Sequence, residues 1–283
     1  MAHNTTERVL LQKSFIAGTY PLTQTTNRLW KLEGGVFFIC RRGQASVTID
    51  LKDYTLTPGT EVLLLPGSIF RIKSLDEDFT ISLFSFPLNM FHEASFRMEP
   101  GYFGFLKEHP CYARPDHPNT MAEGLLHALE AVYADKRNRY RTLIAKNLLR
   151  CCLLEIYDKS YRFFGRQQIE GSNRQDELFK KFMTLVHEHA AREREVTFYA
   201  DKLCISTKYL TGICRHVSGA AAKVIIDRFA ILEIKVLLQS TELSIQEISD
   251  RLHFPDQSYL GRYFKRHEGI SPKEYRAGNQ MEG

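Results

Sequence analysis

At 283 residues the chain exceeds the usual size of one domain, and two are expected. Hydrophobic residues at 43% and charged residues at 25% are ordinary for a soluble globular protein with a sizeable core in each half. A formal charge of +5 allows nucleic acid or another polyanion as a partner without requiring one, and apolar runs such as 36–40 and 62–65 are far too short to cross a membrane. The N-terminal MAHNTTERVLLQK has no basic leader followed by an apolar stretch, so no secretory signal is expected. Cys40, Cys111, Cys151, Cys152, Cys204 and Cys214 form no C-x-x-C pair, which fits free thiols in a reducing cytoplasm.

Between about residues 28 and 92 the pattern has a short period with frequent turn punctuation. VFFICRR stops at Gly43, and Val47, Ile49 and Leu51 then alternate with polar residues. Pro58-Gly59, Pro66-Gly67 and Asp76-Glu77-Asp78 mark turns between EVLLL, IFRIKSL and FTISLFSF. Short strands at this spacing predict a small antiparallel sandwich or barrel.

After Pro100 the period changes, and residues 120–136 and 140–164 read as two helices. Leu125, Leu126, Leu129 and Val132 make one apolar stripe; Leu143, Leu148, Leu149, Leu153, Leu154 and Tyr157 make another. Either core packing or a share in a dimer seam accounts for these stripes. The polar, glycine-containing stretch 165–173 reads as a linker. The expected organisation is α+β: a domain over 1–165, a linker over 166–175 and an all-helical domain over 176–283.

The helical part carries a degenerate repeat. In residues 240–276, Ser244 and Glu247 form a capping box ahead of Ile245, Ile248 and Leu252, which share one helical face. Pro255 cannot continue that helix and disfavours helix at Phe254. Asp256 then caps a second helix whose inner face is Leu260 and Phe264, and Gly269 closes it. Helix, tight turn, helix is the geometry that lays a recognition helix in the major groove. Gln257, Ser258, Gly261, Arg262 and Lys265 fall on its free face. Arg262 suits guanine O6 and N7, and Gln257 suits adenine N6 and N7. Lys265, Arg266, Lys273 and Arg276 suit phosphates, which set register without reading sequence.

Residues 197–219 repeat the design, with Ser206 as cap, Leu210 and Ile213 inward and Gly219 at the end. Tyr209-Leu210 superposes on Tyr259-Leu260. Between the copies, residues 220–238 read as one continuous helix, with Ile225, Phe229, Leu232 and Val236 as a stripe that docks both units.

Residues 176–278, above all LSIQEISDRLHFPDQSYLGRYFKRHEGISPKEYR, resemble the DNA-binding domain of the AraC/XylS family of bacterial transcription regulators. The strands and helices before it are similar in architecture to that family's cupin-like effector and dimerisation half. The resemblance implies double-stranded DNA and RNA polymerase as partners, a small-molecule effector and a homodimer. Three departures stand out. The turn glycine before Phe254 is His253 and a first-helix alanine is Ser249; Ala230 stands where the family often has Arg; and the first unit offers Lys208, Thr211 and Gly212 where larger base-reading side chains are common. Lys208, Thr211 and Arg215 are therefore the first unit's DNA-contact candidates, and the second unit is expected to carry more of the discrimination.

Cupin-type barrels often hold a metal through histidines, yet the position after Pro66-Gly67 that a ligand would occupy is Phe70, and no histidine lies between His3 and His92. No metal and no cofactor are expected. His109, Cys111 and His117 cluster in a proline-bearing loop, which reads as an irregular connection rather than a thiol site. The sequence predicts a sequence-specific regulator, an activator with an effector-sensing apolar barrel. A barrel that only dimerises or docks a partner is the alternative, and a cupin-class enzyme the third reading.

Overall fold

The computed structural model describes residues 15–22, 28–96, 98, 100–112, 120–170 and 174–280. The chain divides into two compact units, 1–169 and 170–283.

The first unit opens with eight strands: β1 (Ile16–Pro21), β2 (Trp30–Lys31), β3 (Gly35–Arg42), β4 (Ala45–Ile49), β5 (Lys52–Leu56), β6 (Glu61–Leu64), β7 (Ile69–Leu75) and β8 (Thr80–Phe86). Helices α1 (Leu88–Ala94) and α2 (Pro100–Glu108), a short β9 (Cys111–Tyr112), α3 (Thr120–Ala134) and α4 (Arg141–Glu170) follow. All pairings are antiparallel, in two sheets ordered β1-β8-β3-β6-β9 and β2-β7-β4-β5. Among the described residues hydrogen bonding does not join the sheets into one closed barrel.

The five-stranded sheet is covered on both faces, which is why VFFIC and EVLLL are apolar throughout instead of alternating. Val36, Phe38, Val62, Leu64, Ile81 and Leu83 pack against Val47, Ile49, Phe70 and Ile72 of the other sheet. Phe37, Ile39, Leu63, Phe84 and Phe86 pack against Leu125, Leu126, Leu129, Leu149 and Leu153 of α3 and α4. Phe70 is thus core. The turns at Gly59 and Gly67 have φ of 87° and 84°, the left-handed region that glycine enters without cost.

Two expectations change here. Leu149 and Leu153 are core, but Leu143 and Leu154 of the same stripe are exposed, so α4 presents apolar groups on two sides. Helix α4 also runs through Gly165 to Glu170, leaving only 171–173, outside the described residues, before the next helix. Glycine costs a helix only about 1 kcal/mol, and the arginine, glutamines and glutamate after it are good helix formers.

The second unit is helical: α5 (Arg174–His189), α6 (Val196–Lys202), α7 (Thr207–Ser218), α8 (Ala222–Ser240), α9 (Ile245–Arg251), α10 (Gln257–Glu268) and α11 (Pro272–Gln280). The long helix begins two residues later than expected, capped by Ala221 in extended conformation. It is buried on most sides and belongs to two cores. Ile225, Ile226 and Phe229 pack with Phe182, Tyr199, Leu210 and Cys214. Ile231, Ile234, Leu237 and Leu238 pack with Ile248, Leu252, Leu260 and Phe264. The expected single stripe is replaced by two successive packing surfaces along one rod.

Candidate nucleic-acid interface

The two helix-turn-helix units match down to individual hydrogen bonds. In the first, the Ile205 amide donates to the Ala200 carbonyl at 3.0 Å; in the second, the Phe254 amide donates to the Ser249 carbonyl at 2.9 Å. Each turn holds a non-glycine residue in the left-handed region, Cys204 with φ 54° and His253 with φ 55°. The residue expected to replace the turn glycine is thus held where glycine would sit at ease. Recognition helix α7 is capped by Ser206 Oγ, which accepts from the Tyr209 amide at 3.2 Å. In α10 the cap is Asp256 Oδ1, which accepts from the Tyr259 amide at 2.7 Å. The helices end on Gly219 (φ 74°) and Gly269 (φ 81°). Pro255 makes the second turn one residue longer.

The capping box before α9 is formed: the Ser244 amide donates to Glu247 Oε2 at 2.7 Å and the Glu247 amide to Ser244 Oγ at 3.2 Å. These bonds, the backbone one foremost, hold the Glu247 carboxyl below its ordinary pKa. Ser271 and Glu274 repeat the arrangement before α11. There the Ser271 side chain and then its amide lower the carboxyl's pKa.

On α10, Gln257, Ser258, Arg262, Lys265 and Arg266 are all exposed along one side, and Lys273 of α11 is exposed as well. On α7, Lys208 and Arg215 are exposed, Thr211 is half-buried, and open space surrounds Gly212. Arg276 is different. It is half-buried, and its Nε donates to the Leu238 carbonyl at 3.1 Å, near the end of α8. This candidate phosphate contact has a structural tie within the unit.

Other residues here went unassigned in the sequence. Tyr209 and Tyr259 are exposed at matching places on α7 and α10, and the Arg262 guanidinium stands 6.0 Å over the Tyr259 ring. Their recurrence in both copies was the available signal. Buried Asp227 accepts from the Tyr263 hydroxyl at 2.8 Å and lies 3.1 Å from Lys223 Nζ. Burial, then the bond to Asp227, raises the Tyr263 phenol well above its usual pKa. Arg194, between α5 and α6, reaches the second unit's turn.

The thiol expected in the proline-bearing loop is a poor nucleophile. Burial pushes the Cys111 thiol up to about 12, leaving scarcely any thiolate at neutral pH; His117 lies outside the described residues. Between the sheets, the apolar space lined by Phe38, Val47, Phe70 and Phe79 is only about 20 Å³. That is room for roughly one water molecule. A cleft of about 840 Å³ lies instead beside β1, β3, β8 and α3, lined by Arg41, Arg42, Ser82, Glu123, His127 and Glu130 among others.

A family model described as a helix-turn-helix domain matches residues 199–278. The arabinose operon regulatory protein of Escherichia coli K12 is 24% identical over 260 residues, covering 87% of this chain and 82% of that protein. The Msm operon regulatory protein of Streptococcus mutans is 28% identical over 114 residues, 40% of this chain and 41% of that one. Among solved structures, ToxT from Vibrio cholerae shares the two-domain α+β fold at a TM-score of 0.50 and 15% identity, covering 93% of this chain and 98% of that one. Both regulatory proteins are named for controlling an operon, neither for an enzymatic activity.

Proposed function

The chain belongs to the AraC/XylS family of DNA-binding transcription regulators, and from that premise we propose that it reads duplex DNA through α7 and α10 under the control of a small molecule bound by its first unit. The observation that carries this reading is the exposed side of α10. There Gln257, Ser258, Arg262, Lys265 and Arg266 are exposed, while Leu260, Tyr263 and Phe264 anchor the same helix in the core. Arg262 and Gln257 read base edges, and Lys265, Arg266 and Lys273 hold phosphates. Arg276 contributes mainly by fixing α11 to α8. In the first helix-turn-helix Lys208, Thr211 and Arg215 make the contacts. Selection from random duplex DNA with the full chain tests this: a defined motif is expected, and recovery of unselected sequence would sink it.

The effector belongs in the cleft beside β3 and α3, not between the sheets, because the interior is filled. At about 840 Å³ the cleft has the size of small-molecule sites. Its charged lining favours a polar ligand. Arg41 there is already oriented, its Nε donating to Ser82 Oγ at 2.9 Å and its Nη1 paired with Glu123 at 2.9 Å. A thermal-shift screen of sugars and small carboxylates, repeated on Arg42→Ala, checks this placement. A ligand whose shift is insensitive to Arg42 would move the effector elsewhere. We read the antiparallel sandwich as cupin-like and as the dimerising half, with exposed Leu143 and Leu154 on α4 as the seam. An activator that touches RNA polymerase in the cytoplasm completes the reading. The boundary then falls within 166–175. Among the described residues no helix is long and apolar enough to cross a membrane.

A further inference from the structure

We propose that Arg194 is a positioning residue that locks the two helix-turn-helix units into one reader of fixed spacing; this rests on the DNA-binding reading above. Arg194 lies between α5 and α6, just ahead of the first helix-turn-helix. Its Nη1 donates to the Leu252 carbonyl at 2.7 Å and to the Ala191 carbonyl at 2.9 Å, and its Nη2 donates to the His253 carbonyl at 2.7 Å. The guanidinium carbon stands 3.8 Å from the centre of the Phe254 ring. One planar group therefore satisfies two adjacent carbonyls of the second unit's turn, one carbonyl of its own connection, and an aromatic face.

The chemistry of that spot favours a cation with a planar fork. Leu252 is the C-cap of α9, where unpaired carbonyls and the negative end of the helix dipole gather. The guanidinium's hydrogen bonds go to carbonyls and its face meets a ring. Arginine, unlike lysine, presents several donors in one plane and a flat face for stacking. Tight contacts continue from its backbone. Lys223 Nζ donates to the Arg194 carbonyl at 2.9 Å and reaches Asp227 at 3.1 Å. Asp227 accepts from Tyr263 of α10, whose ring lies 5.3 Å from Phe254. The circuit from Arg194 through Phe254, Tyr263, Asp227 and Lys223 ties the first unit's connection, α8, the second turn and α10 together. None of these five residues is among the candidate DNA contacts. Their work is to hold α10 at one angle and one distance from α7.

The test uses the full chain and the DNA motif selected by wild type, with probes in which one base pair is added or removed between the two half-sites. Wild type is expected to lose about tenfold in affinity when the spacing changes by one pair, as coupled sites do. Arg194→Met should bind the native spacing more weakly and show a spacing penalty below about threefold. Arg194→Lys keeps the charge without the fork and should restore only part of the penalty. Partial unfolding lowers binding to every probe alike and leaves the ratio untouched. Hydrogen exchange without DNA gives a second readout: Arg194→Met should speed exchange of the Phe254 amide and the first turn of α10, leaving α7 unchanged. Selection of no motif by wild type would overturn the DNA reading itself. A spacing penalty unchanged in Arg194→Met, with the motif still bound, would overturn the role of Arg194 alone.

Discussion

Replacing His253 with glycine should stabilise the second unit, and the size of the gain follows from the turn. His253 has φ 55°, and its side chain is exposed. Holding a non-glycine residue there costs about 1–2 kcal/mol, at the lower end for histidine, which enters the region more readily than most. Glycine removes that cost but gives the unfolded chain more freedom, worth about 0.4–1 kcal/mol in the other direction. The balance is a gain of about 0.5 kcal/mol, or a Tm rise of about 2–4 °C for a domain near this size. Cys204→Gly makes the same change at φ 54° in the first turn and should gain slightly more. Gly219 and Gly269 supply the opposite test at φ 74° and 81°, where an added Cβ meets no atom within 4 Å. Alanine there adds backbone strain alone, and each substitution should cost about 1 kcal/mol. Scanning calorimetry of the full chain reads all four variants on the transition of the helical unit. If His253→Gly and Gly269→Ala moved that transition in the same direction, the backbone argument would be refuted.

Arg262→Ala should weaken specific binding by about 1–3 kcal/mol and relax the preference at one base pair, whereas Lys273→Ala should weaken binding to all sequences and lower the salt slope by about 1; selection and salt titration separate the two. Ser249 is fully buried in α9 with its hydroxyl unpartnered, so Ser249→Ala should raise stability by about 1 kcal/mol, and a fall in Tm would show that the hydroxyl is bonded. The cap carboxylates Glu247 and Glu274 have folded pKa values below the ordinary 4.5. Their contribution is present above the unfolded pKa and disappears as pH falls through the folded one, so acid unfolding of Glu247→Gln paired with Glu274→Gln should show a shallower dependence below about pH 4.5 than wild type.

The second helix-turn-helix was legible because its determinants are local: Ser244 with Glu247, Pro255, Asp256 and Gly269 each act within a few residues of themselves. The strands were legible by period, but what covers them was not. Unbroken apolar runs in β3 and β6 say that both faces are buried, not that α3 and α4 supply one of the covers. Gly165 misled because a single glycine weakens a helix without stopping it. The interior of the sandwich was expected to hold an effector because its residues are apolar and aromatic; whether such residues leave space depends on packing across two sheets, which no local pattern records. Arg194 and Arg276 were illegible for a related reason. Their partners lie 58, 59 and 38 residues away, so on sequence alone each is one more basic side chain near a DNA-binding motif.

Because α8 serves both cores in succession, its length bears on how the two recognition helices can meet DNA. It has 19 residues, hence about 28 Å at 1.5 Å per residue. Major grooves on one face of the duplex recur at about 34 Å. A rod slightly shorter than that repeat, with no glycine or proline inside it, leaves the DNA to bend or one unit to insert less deeply. The side chains say which unit that is. Where α10 presents Arg262, α7 presents Gly212 in open space, and Thr211 beside it is half-buried. The first helix-turn-helix is then expected to contribute mostly phosphate contacts through Lys208 and Arg215, and the second to contribute base discrimination. Footprinting with the full chain should show one chain protecting two successive major grooves on one face, with strong base preference only in the groove that α10 occupies. Protection of a single groove would mean that α7 does not engage. Equal base preference in both would mean that contacts other than Gly212 and Thr211, with exposed Tyr209 the first to examine, read sequence from the first unit.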